Sequence, residues 1–253
     1  MVHRNRFEVF VSTPVIQVKM MGRFGNQLFQ YAFSRAICEQ NGFELRCPRW
    51  IGDEIFDLGI EPVEKIDESL PTLSEDRPEI LRGNVSVCGY GQLSYCVSQY
   101  SKEDIIKWFK FKPAILDKLQ ESVSIHDVVA HRRVGDYFGY GYPVVSKKSY
   151  EDAAAMFGLG PIKWITEESP LHENFPDHMS FLPDFWRMTK ATHLLRGNSS
   201  FSWWAASLGH GTVYAPIIDM LEGGKEHECR FVKGNWPKFT NLPFVQDLKL
   251  KTL

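Results

Sequence analysis

The chain has almost no charge imbalance, few cysteines and no long apolar run, and each shortage excludes a class of protein. Its 29 lysines and arginines stand against 31 aspartates and glutamates, a net charge of −2. Such a balance gives no support to nucleic acid or a polyanionic membrane as partner, so any anion recognition must be local. The five cysteines, Cys38, Cys47, Cys88, Cys96 and Cys229, are odd in number and form no Cys-x-x-Cys pair. That pattern speaks against a disulfide framework or a zinc cluster and fits a reducing compartment. No pair of histidines is accompanied by a cysteine pair at zinc-ligand spacing. From Phe7 to Met21 the apolar residues are interrupted by Glu8, Ser12, Thr13, Pro14, Gln17 and Lys19, too polar for a signal core and too short for a membrane span. The expectation is a cytoplasmic protein without a membrane span, long enough for one large domain or two modest ones.

What is present is an alternation of strands and helices. Val15 to Met20 reads as a strand that runs into Gly22-Arg23-Phe24-Gly25-Asn26, and a helix follows with Leu28, Phe29, Ala32, Phe33, Ala36 and Ile37 at helical spacing before Asn41-Gly42 stops it. Phe43 to Cys47 and Val85 to Tyr90 are further strands, Ile105 to Phe109 and Ala114 to Leu119 helices, and Arg49 to Pro78 has weak periodicity. Ser122 to Asp127 reads as the connection to a second unit. Beyond it, strands are predicted at Val128 to Ala130, Pro161 to Thr166, Met179 to Leu182, His193 to Arg196 and Val213 to Ala215. Gly139 to Pro143 is predicted as a turn-rich loop, and helices at Ser149 to Phe157, Asp184 to Thr192 (capped by Asp184) and Phe201 to Leu208. This alternation predicts parallel sheets covered on both faces, an α/β fold.

In such sheets ligands sit outside the carboxyl ends of the strands. His131-Arg132-Arg133-Val134-Gly135-Asp136-Tyr137 leaves the strand Val128 to Ala130 at that end and concentrates cations that suit phosphate oxygens, although a solvated loop with an internal Arg–Asp pair is the plainer reading. Glu167-Glu168 follows one neighbouring strand and Asn198-Ser199-Ser200 another. Together the three loops offer a cation, hydroxyl and N–H donors at a helix start, and an acidic acceptor for guanine, the needs of a nucleoside diphosphate. The turn at Gly22 lacks the Gly-x-Gly-x-x-Gly spacing of a dinucleotide site, which argues against a dehydrogenase, and by itself it is more often an ordinary turn than a ligand site. Trp203 and Trp204, among Ala205, Ala206 and Leu208, read as core.

Taken in order, Gly22-Arg-Phe-Gly-Asn-Gln-Leu-Phe-Gln-Tyr-Ala32, Gly89-Tyr-Gly-Gln92, His131-x-Arg133-x-Gly135-Asp136-Tyr137 and Asn198-Ser-Ser-Phe-Ser-Trp-Trp-Ala-Ala206 resemble the successive motifs of the α-1,2-fucosyltransferases, the family related to the blood-group H transferases. The match is collinear over residues 16 to 216. The resemblance implies a GT-B fold: an N-terminal, acceptor-side Rossmann-like domain over residues 1–122 and a C-terminal, donor-binding one over residues 123–253, with parallel sheets facing a cleft. It implies GDP-fucose as donor, a galactose-containing glycan as acceptor, and inverting transfer of L-fucose to the 2-hydroxyl of a terminal galactose, with no cofactor or metal. No Asp-x-Asp occurs in the chain to hold a divalent ion on a sugar diphosphate. Family members elsewhere are Golgi membrane proteins, so membrane association, at most peripheral for this chain, enters as an expectation of the resemblance.

Carried over residue by residue, Arg133 matches the arginine that holds the leaving GDP, with His131 and Asp136 as its motif neighbours. Gly25 and Asn26 match the glycine turn across the cleft, with Gly22 and Arg23 beside them as donor-binding candidates; Ser200, Phe201 and Ser202 match the turn that closes over the diphosphate and base, with Ser199 at the same helix start; Glu168 matches a carboxylate that reads guanine, where aspartate is usual, with Glu167 as the neighbouring acceptor; Tyr90 and Gln92 fall on the acceptor side. Two positions depart from the pattern. Val134 stands where a second arginine is common, and Arg23 where a second glycine is common, so Arg23 either restores the missing charge from the opposite domain or crowds the donor. Other readings are a catalytically weakened GDP-sugar-binding protein and a GDP-sugar transferase with a different acceptor.

Overall fold

A computed structural model of the protein describes residues 13–74, 84–166, 174–218 and 222–234. The strand β1 (Val15–Val18) is buried along its whole length, as expected of a strand covered on both faces. After it comes α1 (Phe24–Asn41), which buries Phe24, Leu28, Phe29, Ala32, Phe33, Ala36 and Ile37 and ends where Gly42 adopts the left-handed conformation (φ 67°) and its N–H meets the Cys38 carbonyl. The chain continues through β2 (Glu44–Arg46), α2 (Ile51–Ile55), β3 (Thr72–Ser74), β4 (Val85–Cys88), α3 (Ser94–Val97), α4 (Lys102–Trp108) and α5 (Pro113–Ser122). The four strands form a parallel sheet in the order β2-β1-β4-β3.

The second half starts with β5 (Val128–His131), also wholly buried, then α6 (Gly135–Tyr140), β6 (Val144–Val145), α7 (Lys147–Met156) and β7 (Ile162–Ile165). It continues with α8 (Leu182–Lys190), β8 (His193–Leu195), α9 (Ser200–Leu208), β9 (Thr212–Pro216), β10 (Glu226–His227) and β11 (Phe231–Gly234). Its main sheet has the order β11-β9-β8-β5-β7, parallel except for β11 on β9, while β6 and β10 pair separately.

The strand orders decide where a ligand can sit. From β1 the chain passes first to β2 on one side and later to β4 on the other; from β5 it passes to β7 on one side and then to β8 on the other. Each of these strands is therefore the switch point of its sheet, where the diverging connections leave a crevice beyond the carboxyl end. Gly22 follows β1, and the arginine motif follows β5. The halves meet through α1 and α9: Phe29 lies 4.6 Å from Trp203 and 5.0 Å from Trp204, ring centre to ring centre, and both tryptophans are buried. One apolar cluster includes Phe24, Leu28 and Phe29 from α1 and Phe185, Trp203 and Trp204 from α8 and α9, so helices of the two halves share a core.

Two local expectations fail. Met179 to Leu182 is not a strand: Asp177–Met179 is a single 3₁₀ turn, and α8 begins at Leu182 with Pro183 in its first turn, where a missing N–H costs nothing. Asp184 is therefore inside the helix, ion-paired with Arg187 at 2.7 Å, and not its cap. Gly139 to Pro143 is also not simply a loop, since α6 runs to Tyr140 and left-handed Gly141 ends it. Among the described residues no helix is long and apolar enough to cross a membrane, so membrane association draws no support from them.

Candidate functional site

Between the two switch points lies a cavity of about 1030 Å³. It sits at the upper end of the ~300–1,000 Å³ usual for one small-molecule site, which leaves room for more than one sugar-sized group. Gly22, Arg23, Gly25, Asn26, Tyr90, Gln92, His131, Arg133, Asp136, Ser199, Ser200 and Phe201 all line it. Residues from four separate stretches of sequence are thus brought to one place. Ser202 is not among them: it is fully buried, and its hydroxyl donates to the carbonyls of Gly197 and Ser199. Glu167 and Glu168 lie outside the described residues; Thr166, the last described residue before them, lines the cavity.

The glycine turn is shaped by backbone needs. Gly22 has φ +73°, and a Cβ there would come within 2.5 Å of the Asn26 amide. Gln30, buried one turn into α1, ties the turn down by accepting from Met21 N–H and donating to Met21 C=O, both at 2.9 Å. Gly25 permits the two halves to touch, because a Cβ on it would meet Phe201 N and Ser200 Oγ at 2.7 Å. Asn26 completes the joint: its Oδ1 accepts from Gln92 Nε2 at 2.8 Å and from Ser200 Oγ at 3.0 Å. The amino ends of α1 and α9 consequently converge, and with them the positive ends of two helix dipoles.

The other wall carries charge. Arg133 donates to both oxygens of Asp136, Nε to Oδ1 at 2.9 Å and Nη2 to Oδ2 at 2.7 Å, the planar fork geometry that arginine favours. Arg23, from the opposite half, reaches the same carboxylate, Nη1 to Oδ2 at 3.3 Å, with 71% of its side chain exposed. The three groups bridge the loops after β1 and β5. Arg132 turns away, donating to Val145 C=O at 3.1 Å and to Glu226 at 3.0 Å, where it links β6 and β10. His131 is buried, its ring 5.6 Å from that of Phe201, and burial first and the Arg133 charge second lower its pKa from the usual 6.5 to about 3. It is a neutral imidazole at physiological pH.

On either side of this bridge the cavity has a different character. Toward β2 and β7 it is lined by Arg49, Trp50 and Glu54 together with Thr166, His178 and Asp184, and His178 meets Glu54 at 3.0 Å across the halves. Toward β4 and β8 it is lined by Tyr90 and Gln92 together with Tyr140 and Tyr142. Sequence reasoning missed these added residues because Arg49 to Pro78 has no periodic pattern and His178 stands in no motif; the tyrosine-rich run after Gly139 was a signal that could have been used. Among the described residues no group of three or more His, Cys, Asp or Glu could hold a metal ion.

No protein-family model matches the chain. No curated protein sequence matches it either. Solved structures do. The NodZ α-1,6-fucosyltransferase soaked with GDP-fucose superposes with a TM-score of 0.54 at 16% identity, over 88% of this chain and 100% of that one. Fucosyltransferase NodZ from Bradyrhizobium gives 0.54 at 15%, with coverage of 88% and 100%, and NodZ co-crystallized with GDP gives 0.51 at 16%, with coverage of 82% and 96%. At these identities the likeness establishes the fold: two parallel α/β sheets facing a cleft, the GT-B architecture of glycosyltransferases.

Proposed function

We propose that the protein is a glycosyltransferase that uses GDP-fucose and moves L-fucose to the 2-hydroxyl of a terminal galactose-like acceptor, without a metal ion. The observation that carries this reading is the meeting of Arg133, Asp136 and Arg23 at the paired switch points, opposite the converging starts of α1 and α9. Residues 1–122 act as the acceptor-side unit and residues 123–253 as the donor-binding unit. The α-1,2 linkage rests on the sequence motifs, since two of the similar solved structures are named α-1,6-fucosyltransferases.

In this reading the acceptor hydroxyl attacks the anomeric carbon of fucose from the face opposite GDP and gives up its proton to the solvent of the open cleft, the bond to the β-phosphate oxygen breaks with its electron pair leaving on GDP, and configuration inverts. Negative charge grows on the departing β-phosphate, and Arg133 stabilises it, with the helix starts adding N–H donors. Two guanidiniums engage Asp136, one of them on both of its oxygens, which supports a role in positioning Arg133 more than one as the base that takes the acceptor proton. The lowered pKa of His131 likewise supports hydrogen bonding over proton uptake. Arg23 supplies the cation that Val134 does not.

The test is nucleotide release from GDP-fucose, GDP-mannose and UDP-galactose, each with and without lactose. Release of GDP from GDP-fucose that rises with lactose is expected; preference for UDP-galactose overturns the donor. Tight GDP binding with no release in the presence of any galactoside would instead identify a GDP-sugar-binding protein.

A further inference from the structure

The tyrosine side of the cavity, with Tyr90, Gln92, Tyr140 and Tyr142, carries no charged side chain with which to hold a diphosphate. Tyr140 is 68% exposed and Tyr90 42% exposed, large values for aromatic residues whose burial would normally be favourable. They belong to a group. Tyr142 lies 6.2 Å from Tyr140 and 5.2 Å from Tyr137, ring centre to ring centre, and its hydroxyl feels Tyr90 and Tyr140, both of which push its pKa up after burial. Tyr90 from the first half lines the same cavity as Tyr140 and Tyr142 from the second, so the group spans both halves of the cleft.

The scaffold beneath these rings is rigid. The Tyr137 hydroxyl donates to Asn198 C=O at 3.0 Å, and Asn198 Nδ2 donates to Pro143 C=O at 2.8 Å, so the segment bearing Tyr140 and Tyr142 is pinned from both ends to the residues after β8. The strand β7, with Thr166 at its end, lies on the other side of β5. A nucleotide base directed to the β7 side and a second ring on the β8 side would flank the Arg133–Asp136 bridge without competing.

We infer that Tyr90, Tyr140 and Tyr142 form a stacking platform for the acceptor pyranose, selective for rings with one unbroken C–H face. An aromatic face is electron-rich and attracts the polarised C–H bonds of a sugar. Galactose, whose axial 4-hydroxyl leaves its C3, C4 and C5 hydrogens on one side, offers such a face; glucose, with every hydroxyl equatorial, divides its axial hydrogens between two faces. The phenolic hydroxyls remain at the rim to hydrogen-bond the sugar's edge. This rests on the glycosyltransferase reading above and adds to it the residues that recognise the acceptor.

The experiment uses the whole chain and two separate readouts. Saturation-transfer NMR with lactose and with maltose reports sugar binding directly, and calorimetry with GDP reports the donor site. Tyr140 is the variant of choice because its exposure makes misfolding no concern. Loss of one ring stack corresponds to roughly a three- to tenfold weaker lactose signal for Tyr140→Ala, with Tyr140→Trp restoring it and GDP affinity unchanged. Lactose is expected to bind better than maltose. Equal lactose binding by wild type and Tyr140→Ala overturns the platform, as does a parallel loss of GDP affinity, which would mean that the ring stacks on the base. Absence of GDP binding in wild type, with lactose binding intact, would sink the GDP-sugar reading alone.

Discussion

The loops after β1 and β5 occupy equivalent places in their sheets, yet they are built by opposite means. The first is a matter of space: Gly22 for its left-handed backbone, Gly25 for the approach of α9, Gln30 to hold the turn. The second is a matter of charge, with Arg133 and Arg23 gathered on Asp136. An anion site needs both kinds of loop, because strong electrostatics are productive only where donors are held in advance of the ligand. Arg23 crosses the division, since it stands in the spatial loop and serves the charged one.

The comparison breaks most sharply at Arg133. Arg133→Ala should lower GDP release from GDP-fucose at least ~100-fold, the ~3 kcal/mol typical of one preorganised donor, while a circular dichroism melt shows the chain still folded. A variant with near-normal turnover would remove Arg133 from the mechanism. Gly25→Val tests the spatial loop: its side chain must displace Ser200 or the start of α9, a cost of about 1–3 kcal/mol visible as a lower urea midpoint.

His131 joins burial to charge. The unfolded chain takes up a proton near pH 6.5, the folded protein only near 3, so between those values the unfolded state holds more protons. Stability present above pH 6.5 is therefore lost as pH falls, by at most ~1.4 kcal/mol per pH unit, and urea titrations across that range should show a shallower decline in His131→Asn. Arg23→Gln should change stability by less than ~0.5 kcal/mol, because the ion pair is exposed, yet weaken GDP roughly tenfold in calorimetry. Adding Val134→Arg to that variant should restore much of the affinity. Smallest is Arg132→Ala: bound to Val145 and Glu226 and directed away from the cavity, it should leave turnover within about twofold.

The local pattern of the chain was enough to reveal β1, α1 with its stop at Gly42, β5 and α9, because each is announced by spacing or capping within a few residues. It was not enough for Met179 to Leu182, where Met179 closes a 3₁₀ turn and Leu182 opens a helix, or for the two-residue pairing of β6 with β10, which no local signal marks. The identity of the cleft's charged residues was legible in the same way, since Arg133 and Asp136 stand three apart in one motif. That Arg23 shares their carboxylate, that Ser202 turns inward, and that Tyr90 and Tyr142 line one cavity were not. Those relations join residues 52 to 113 positions apart or depend on which way one hydroxyl rotates. The sequence by itself determined the elements and the chemistry at their ends; only the tertiary structure decided which ends meet, because strand order and the packing of α1 on α9 depend on contacts between residues far apart in the chain.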